Sequence, residues 1–502
     1  MATIMYSMGR DRFGVQEKKE PRTKPVDNRR QNKIAQLRGD IRRLTTQFKE
    51  ASPEERPALA EIRKHLREQI ATLRRAENNR KNRKERARKR ANFIANPFQL
   101  MKKLLRDKRS RSLECPRQEV KDHLRNIHSD ENRDQDLGDP DTLLSPEPPT
   151  TAFGDSEPKL QEIKDVIRKA RSASAPGPNG IQYRVYKNCP KLLQRLWKLL
   201  KVVWRKGQLP DNWLLSEGCF IPKEEGSMTL KQFRTISLPN VEGKVLLSVL
   251  AKLLTTFMLA NNYMDTSVQK GGVPGVSGCL EHTSVLTQLT KEAKATKGDL
   301  TVLWLDIANA YGTVPHKLVD LTLKKYHVPE KFRNLLWHCF DNFKMRFTVA
   351  DYTTSWRRLE VGIVTGCTIS VILFSVAMNL LVKTAGKMSR GPITISGIRQ
   401  PPTRAFMHDM TITAKSVPEG RWMLEDLGRL ISWSRMKFKP AKSRSLVLKK
   451  GKVQDRFRFR VNGELIPTVT EQPVKSLGKW FRRSLSDKES VREMRQQCED
   501  WM

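Results

Sequence analysis

The side chains best suited to do chemistry are two aspartates set at the ends of apolar runs. Thr301-Val302-Leu303-Trp304-Leu305 leads into Asp306, and Arg404-Ala405-Phe406-Met407-His408 leads into Asp409, with Met410-Thr411-Ile412-Thr413 following. Both runs read as strands, and carboxylates that meet at strand ends can hold a pair of Mg²⁺ ions, the arrangement used for in-line attack on a phosphate. Each segment also has a plainer reading. An Asp after a hydrophobic strand is commonly a loop residue or a helix cap. Phe406 to Met410 alone would be a hairpin, a His-Asp turn between two apolar arms. The order and spacing of the surrounding elements must decide.

Composition narrows the chemistry. The 502 residues are enough for two or three domains and a sizeable core. Lys and Arg number 94 against 54 Asp and Glu, a formal charge of +40. Such a surplus favours a polyanionic partner, and nucleic acid fits better than an acidic membrane because the basic residues run through the whole chain. Seven Cys are scattered singly with no Cys-x-x-Cys pair, so neither a disulfide framework nor a zinc site is indicated. A reducing interior, nucleus or cytoplasm, is the expected location, and Met1 to Arg12 lacks the apolar core of a signal peptide. Val361 to Val382 carries no charge and is long enough to span a bilayer. Its Gly362, Gly366 and interspersed Ser and Thr read instead as a glycine turn feeding a buried helix.

The elements that must position the two acids can be read in order. Residues 1–31 form a polar, basic tail expected to be disordered. Ile34, Leu37, Ile41, Leu44 and Phe48 recur at helical spacing, and a second series runs through Leu59, Ile62, Leu66, Ile70 and Leu73. Between them Ser52-Pro53-Glu54-Glu55 offers an N-cap, a Pro at the first helical position and a box glutamate. Region 32–110 is therefore a basic helical hairpin or coiled-coil-like segment, with possible self-association through 32–75. Its Arg80 to Arg90 run suits phosphate binding or nuclear import as well as it suits a solvated helix face. Residues 111–158 turn acidic and Pro-rich and read as a linker. An α/β-like alternation follows: helices over 160–170, 192–204 and 241–259, a turn cluster at 175–180, and a short strand at 218–223.

From this point the chain resembles the reverse transcriptase domain of non-LTR (LINE-type) retroelements over roughly residues 160–480. Ala175-Pro176-Gly177-Pro178-Asn179-Gly180-Ile181 is similar to the family's opening turn. Trp213, Phe220-Ile221-Pro222-Lys223 and Phe233-Arg234-Thr235-Ile236-Ser237-Leu238 resemble its fingers segments, and Gln269-Lys270-Gly271-Gly272-Val273-Pro274-Gly275 its glycine-rich element. Asp306 to Tyr311 resembles the first catalytic motif, Gly362 to Ser370 the dNTP and template loop, and Phe406-Met407-His408-Asp409 the aromatic–variable–Asp–Asp motif. Trp433, Lys437 to Lys442 and Ser476-Leu477-Gly478 resemble downstream palm and thumb-junction elements.

The resemblance implies an α+β, right-hand polymerase fold: fingers at 159–298, palm at 299–450, and a palm–thumb junction with a truncated thumb at 451–502. It implies an RNA template, a DNA primer, dNTP substrates and two Mg²⁺, with no membrane. Asp306 would bridge both ions and Asp409 support them; Lys223, Arg234 and Lys442 would meet triphosphate charge; Tyr311 would crowd a 2′-hydroxyl; Gly366 would let backbone approach the nucleotide. For Lys223 and Arg234 a solvated surface charge, and for Tyr311 and Gly366 simple packing and a turn, remain open. His408 departs from the family pattern, standing where it has the first Asp of its pair. Mg²⁺ prefers oxygen donors, so imidazole is a poor replacement. Losing such a ligand removes several kcal/mol of transition-state stabilisation, or about three orders of magnitude or more in rate. The expected activity is an impaired RNA-directed DNA polymerase, the alternative a catalytically inactive nucleic-acid-binding remnant. The end at Met502, soon after the thumb should begin, reads as a fragment of a larger element or a degenerate copy.

Overall fold

The structure, a computed structural model, describes residues 29–95, 113, 115–138, 143–223, 227–276, 278–349, 352–387, 389–486, 488, 491–492, 495–496 and 499. They fall into two compact units, 29–95 and 113–499. The tail expected over 1–31 lies outside the described residues as far as residue 28, and residues 29–31 already belong to a helix. The stretch from 96 to 112 also lies outside them.

The smaller unit is a helical hairpin of α1 (Arg29–Glu50) and α2 (Arg56–Ala95). Ile34, Leu37 and Ile70 are buried between the two, flanked by Ile41, Leu66 and Leu73. This is the i, i+3/i+4 seam that helical periodicity demands. At the closed end the Arg63 guanidinium lies 5.1 Å from the Phe48 ring centre. Glu55 closes the turn as a box glutamate, accepting from the Ser52 N–H at 3.1 Å and hydroxyl at 3.0 Å. The helix begins at Arg56, so Pro53 sits in the turn rather than at the first helical position.

The larger unit mixes helices with two five-stranded sheets. Its described chain opens with α3 (Arg117–His128), within the stretch expected as a linker. Val120, Leu124 and His128 are buried on one helical face, the first two as part of the main core. Arg133 pairs with Asp341 at 2.7 Å, and the Trp433 indole donates to the Leu137 carbonyl at 2.8 Å. This stretch is therefore built into the unit where it is described. A period-4 apolar face inside a charged sequence is what the compositional reading overlooked.

The first sheet holds β1 (Leu215–Pro222) and β2 (Phe233–Pro239), antiparallel to each other; β1 also runs parallel to β4 (Lys344–Val349). β4 in turn pairs with the short β5 (Tyr352–Thr353) and β6 (Arg357–Arg358). Between β2 and the second sheet come α4 (Val241–Ala260) and α5 (Gly278–Ala295).

The second sheet is wholly antiparallel. It consists of β3 (Leu300–Asp306), β7 (Thr403–Phe406), β8 (Asp409–Ala414), β9 (Arg444–Lys449) and β10 (Lys452–Val453), in the order β10-β9-β3-β8-β7. β3 is central and is covered on both faces. Leu303 and Leu305 enter the main core, while Leu300, Val302 and Trp304 pack with Leu286, Leu289 and Ala293 of α5 and with Phe481. That double burial explains why its sequence is an unbroken apolar run rather than an alternation. Of the two readings of 404–413, strand or hairpin, the structure has the hairpin, with its turn at Met407-His408 rather than at His408-Asp409.

The uncharged stretch from Val361 becomes a turn with Gly362 at φ +85° and Gly366 at φ +88°, followed by α6 (Thr368–Gly386). α6 and α4 are each long and apolar enough to cross a membrane by length and composition, but 83% and 56% of those windows are buried within the protein. α6 is apolar all round because it is surrounded. α7 (Val417–Trp433) packs beside it, with Ser416 as N-cap accepting from the Glu419 N–H.

Candidate active site

The two aspartates are brought together by strand register. In the β3–β8 ladder Asp306 stands directly opposite Asp409, with Leu305 opposite Met410 and Leu303 opposite Ile412. Residues facing each other across an antiparallel pair project to the same side of the sheet, and alternation gives the other side to Leu305 and Met410. Those two are buried in the main core, which leaves both carboxylates on the opposite face. A slip of one residue would bury one of them instead. Asp306, Asp409 and the intervening turn residue His408 each offer one ligand atom, and these atoms all lie within 4.8 Å of one another.

His408 is placed by the two-residue turn between β7 and β8. Met407, ahead of it, has φ +57°, a left-handed conformation unfavourable for a long side chain and usually given to Gly, Asn or Asp in such turns. Buried Gln269 holds it there: its Oε1 accepts from the Met407 N–H at 3.0 Å and from the Gly271 N–H at 3.0 Å, while its Nε2 donates to the Met407 carbonyl at 3.4 Å. The segment also pairs with β7 through the Ala405 N–H to Val268 and the Lys270 N–H to the Ala405 carbonyl. Gly271 can carry no side chain because a Cβ would run into the Met407 nitrogen. The glycine-rich element was visible in sequence, but this clamp spans 138 residues of chain and left no local signal.

A second scaffold comes from 437–442. The Lys439 N–H donates to the Asp306 carbonyl at 2.7 Å and the Ala308 N–H to the Lys437 carbonyl at 2.9 Å. This backbone pairing carries Lys442 to the site, its ammonium 3.6 Å from Asp306 Oδ2. His408 Nε2 lies 3.8 Å from Asp306 Oδ1, too far for a hydrogen bond, and its Nδ1 is buried without a partner among the described residues. Asp409 keeps an outer face open to solvent. Withdrawal of the rest of its surroundings from water raises its carboxyl above the ordinary carboxylate range, and Asp306 adds to this, while His408 and Lys442 pull the other way.

The remaining candidates flank this centre. The Lys223 main chain closes β1 onto Gln232, and its ammonium donates to the Lys231 carbonyl at 2.6 Å. Partial burial lowers its ammonium pKa, and Lys439, Lys442 and Arg234 lower it further, so three cations lie within reach of Lys223. Tyr311 stacks on Phe374 with ring centres 4.8 Å apart and planes 15° from parallel, and burial lifts its hydroxyl to about 12. Its carbonyl accepts from the Ile363 N–H at 2.8 Å, tying it to the glycine turn. A Cβ on Gly366 would come 2.9 Å from the Ser237 carbonyl, so its close approach here is to β2. Ser370, at the end of that loop segment, lies buried in the first turn of α6, whose N-cap is Cys367.

Residues 221–481 match the family model for reverse transcriptase (RNA-dependent DNA polymerase). The chain is similar to the retrovirus-related Pol polyprotein from type-1 retrotransposable element R2 of Nasonia vitripennis, 24% identical over 311 residues, 61% of this chain and 29% of that protein. It is also similar to the Pol polyprotein from type-2 element R2DM of Drosophila melanogaster, 24% identical over 213 residues, 42% of this chain and 19% of that one. A 149 kDa protein of transposon TX1 from Xenopus laevis is 21% identical over 270 residues, 51% of this chain and 20% of that protein. The chain spans under a third of the length of each of these three relatives.

The Gln269 clamp carries a stability consequence. Gln269→Ala leaves the Met407 and Gly271 N–H groups without an acceptor in a buried setting, a loss of about 1–3 kcal/mol. Urea denaturation should show a lower midpoint, and hydrogen exchange should show faster exchange at Met407. An unchanged midpoint and unchanged exchange would mean that Gln269 does not hold the turn.

Proposed function

The chain belongs to the reverse transcriptase (RNA-dependent DNA polymerase) family, and we propose that it engages an RNA template, a DNA primer and dNTP in right-hand polymerase fashion but extends the primer weakly or not at all. In this reading 159–298 act as fingers, 299–450 as palm and 451–502 as the palm–thumb junction. The observation that carries it is the facing of Asp306 and Asp409 with His408 as the third donor. The chemistry such a site supports is attack of a primer 3′-hydroxyl on an α-phosphate, for which divalent ions stabilise the attacking and leaving oxygens.

The residues present do not suit a pair of Mg²⁺. Two carboxylates and an imidazole give one oxygen donor fewer than the family motif, and neither His408 nitrogen is turned to account by the protein around it. Substrate binding is better supported. Lys223, Arg234, Lys439 and Lys442 make a positive surround for triphosphate. Phe374 fixes the Tyr311 ring in one orientation, as steric selection against a 2′-hydroxyl requires.

A second reading, a nucleic-acid binder without turnover, is favoured by α2. At 40 residues it is far longer than the 22-residue α1 that it folds back on, so about 27 Å of helix extends beyond the hairpin. That end carries Arg80, Lys81, Arg83, Lys84, Arg86, Arg88, Lys89 and Arg90 against a lone Glu85. A basic helix of this kind contacts phosphates without reading sequence.

The His408→Asp variant should extend a primer on an RNA template with Mg²⁺ about three orders of magnitude faster than the native chain, and adding Asp306→Ala should abolish the gain. Equal rates for native and His408→Asp proteins would overturn the impairment reading. For the basic helix, replacing Arg83, Lys84, Arg86 and Arg88 with Gln should flatten the log–log salt dependence of duplex binding by about 3.6. A slope that stays the same would remove α2 from the interface.

A further inference from the structure

The mismatch between His408 and Mg²⁺ points to a different ligand for the same centre. We infer that Asp306, His408 and Asp409 form a site for one borderline transition-metal ion, Zn²⁺ foremost, in place of a pair of hard ions. The inference rests on reading these three residues as one site; it does not depend on polymerase turnover.

Donor type is the first argument. One imidazole and two carboxylates make a mixed N/O set, which suits Zn²⁺ and its first-row neighbours, whereas Mg²⁺ takes oxygen and retains its waters. Spacing is the second. Ligand atoms bound at about 2.0–2.2 Å around a tetrahedral ion lie roughly 3.4 Å apart. The three ligand atoms already sit within 4.8 Å of one another, and His408 Nε2 is 3.8 Å from Asp306 Oδ1. Closing onto an ion therefore needs side-chain shifts of about an ångström, with no change of backbone.

Unmet hydrogen bonding is the third argument. His408 Nδ1 is buried with no partner among the described residues, and Nε2 has only the long contact to Asp306. The His408 side chain is 40% exposed, so Nε2 stays open to solvent and to an incoming ion, while the buried Nδ1 remains a cost. Charge also balances, since two carboxylates and a neutral imidazole cancel a divalent ion. Three protein donors leave a coordination position for water, so the site is of the open kind.

Two features act against tight binding. The Lys442 ammonium, 3.6 Å from Asp306 Oδ2, occupies part of the space and repels a cation. It is 64% exposed on a flexible stem, so it can swing into solvent. Nδ1 also lacks the acceptor that normally locks a ligating imidazole. Preorganisation comes instead from the backbone, through the β3–β8 ladder and the Gln269 clamp on the turn.

The test is isothermal titration of the full chain with Zn²⁺ in excess Mg²⁺, beside His408→Ala and His408→Asp, with Co²⁺ absorption as the spectroscopic readout. The native chain should bind Zn²⁺ despite the Mg²⁺, and Co²⁺ should give the intense visible bands of a low-coordinate site. His408→Ala should weaken Zn²⁺ binding about 10-fold or more and abolish those bands. His408→Asp, which restores a carboxylate and covers the case in which the Ala variant misfolds, should lose preference for Zn²⁺ over Mg²⁺. Zn²⁺ binding that is the same in all three proteins would overturn the inference, since the ion would then sit on other Cys or His residues. Primer extension by the His408→Asp protein reports separately on the polymerase reading, so failure of one is distinguishable from failure of the other.

Discussion

The pairing of β3 with β8 is the constraint from which the site follows. One register sends Leu303, Leu305, Met410 and Ile412 into the main core, and the same register sets Asp306 against Asp409 on the other face. Hydrophobic burial on one side of the sheet thus determines the convergence of charge on the other. The energetic asymmetry is large, because several buried apolar side chains oppose the repulsion of a single carboxylate pair. A sheet covered on both faces, by α5 and Phe481 on one and by α6 and α7 on the other, holds that register firmly.

Around this pair the protein has surrounded two acids with cations. Lys442 reaches Asp306, His408 shares the cluster, and Lys439, Lys442 and Arg234 all act on Lys223. Acids and cations partly neutralise one another here, the Lys442 ammonium lying 3.6 Å from Asp306 Oδ2. The strongly basic chain as a whole extends the same logic outward to a polyanion.

Much of this was legible in the sequence, for identifiable reasons. Unbroken apolar runs gave away β3, α4 and α6, since surrounded elements need no polar face. Helical spacing gave away the α1–α2 seam, with Ile34, Leu37 and Ile70 at its centre. The aspartates stood out because each adjoins such a run. What stayed hidden depends on contacts between distant segments. Gln269 looked like the first residue of a glycine-rich turn, and its bond to Met407 exists only once β7 has formed beside it. Lys439 gave no sign that its N–H would carry Lys442 to Asp306. The 111–158 stretch looked like a linker by composition, yet Val120 and Leu124 supply enough apolar face to dock α3. Gly366 was read as leaving room for a nucleotide, and the Ser237 carbonyl accounts for the close approach seen here.

Facing of Asp306 and Asp409 is the central claim, and its most direct test is the ionisation of one in the presence and absence of the other's charge. Carbon NMR titration of Asp409, with chelator present, should find its carboxyl protonating above the ordinary carboxylate range, since partial burial and Asp306 both disfavour the anion. Neutralising the neighbour by Asp306→Asn should move that titration to lower pH. An Asp409 titration identical in the two proteins would show that the carboxylates do not share a site, and the account would fail.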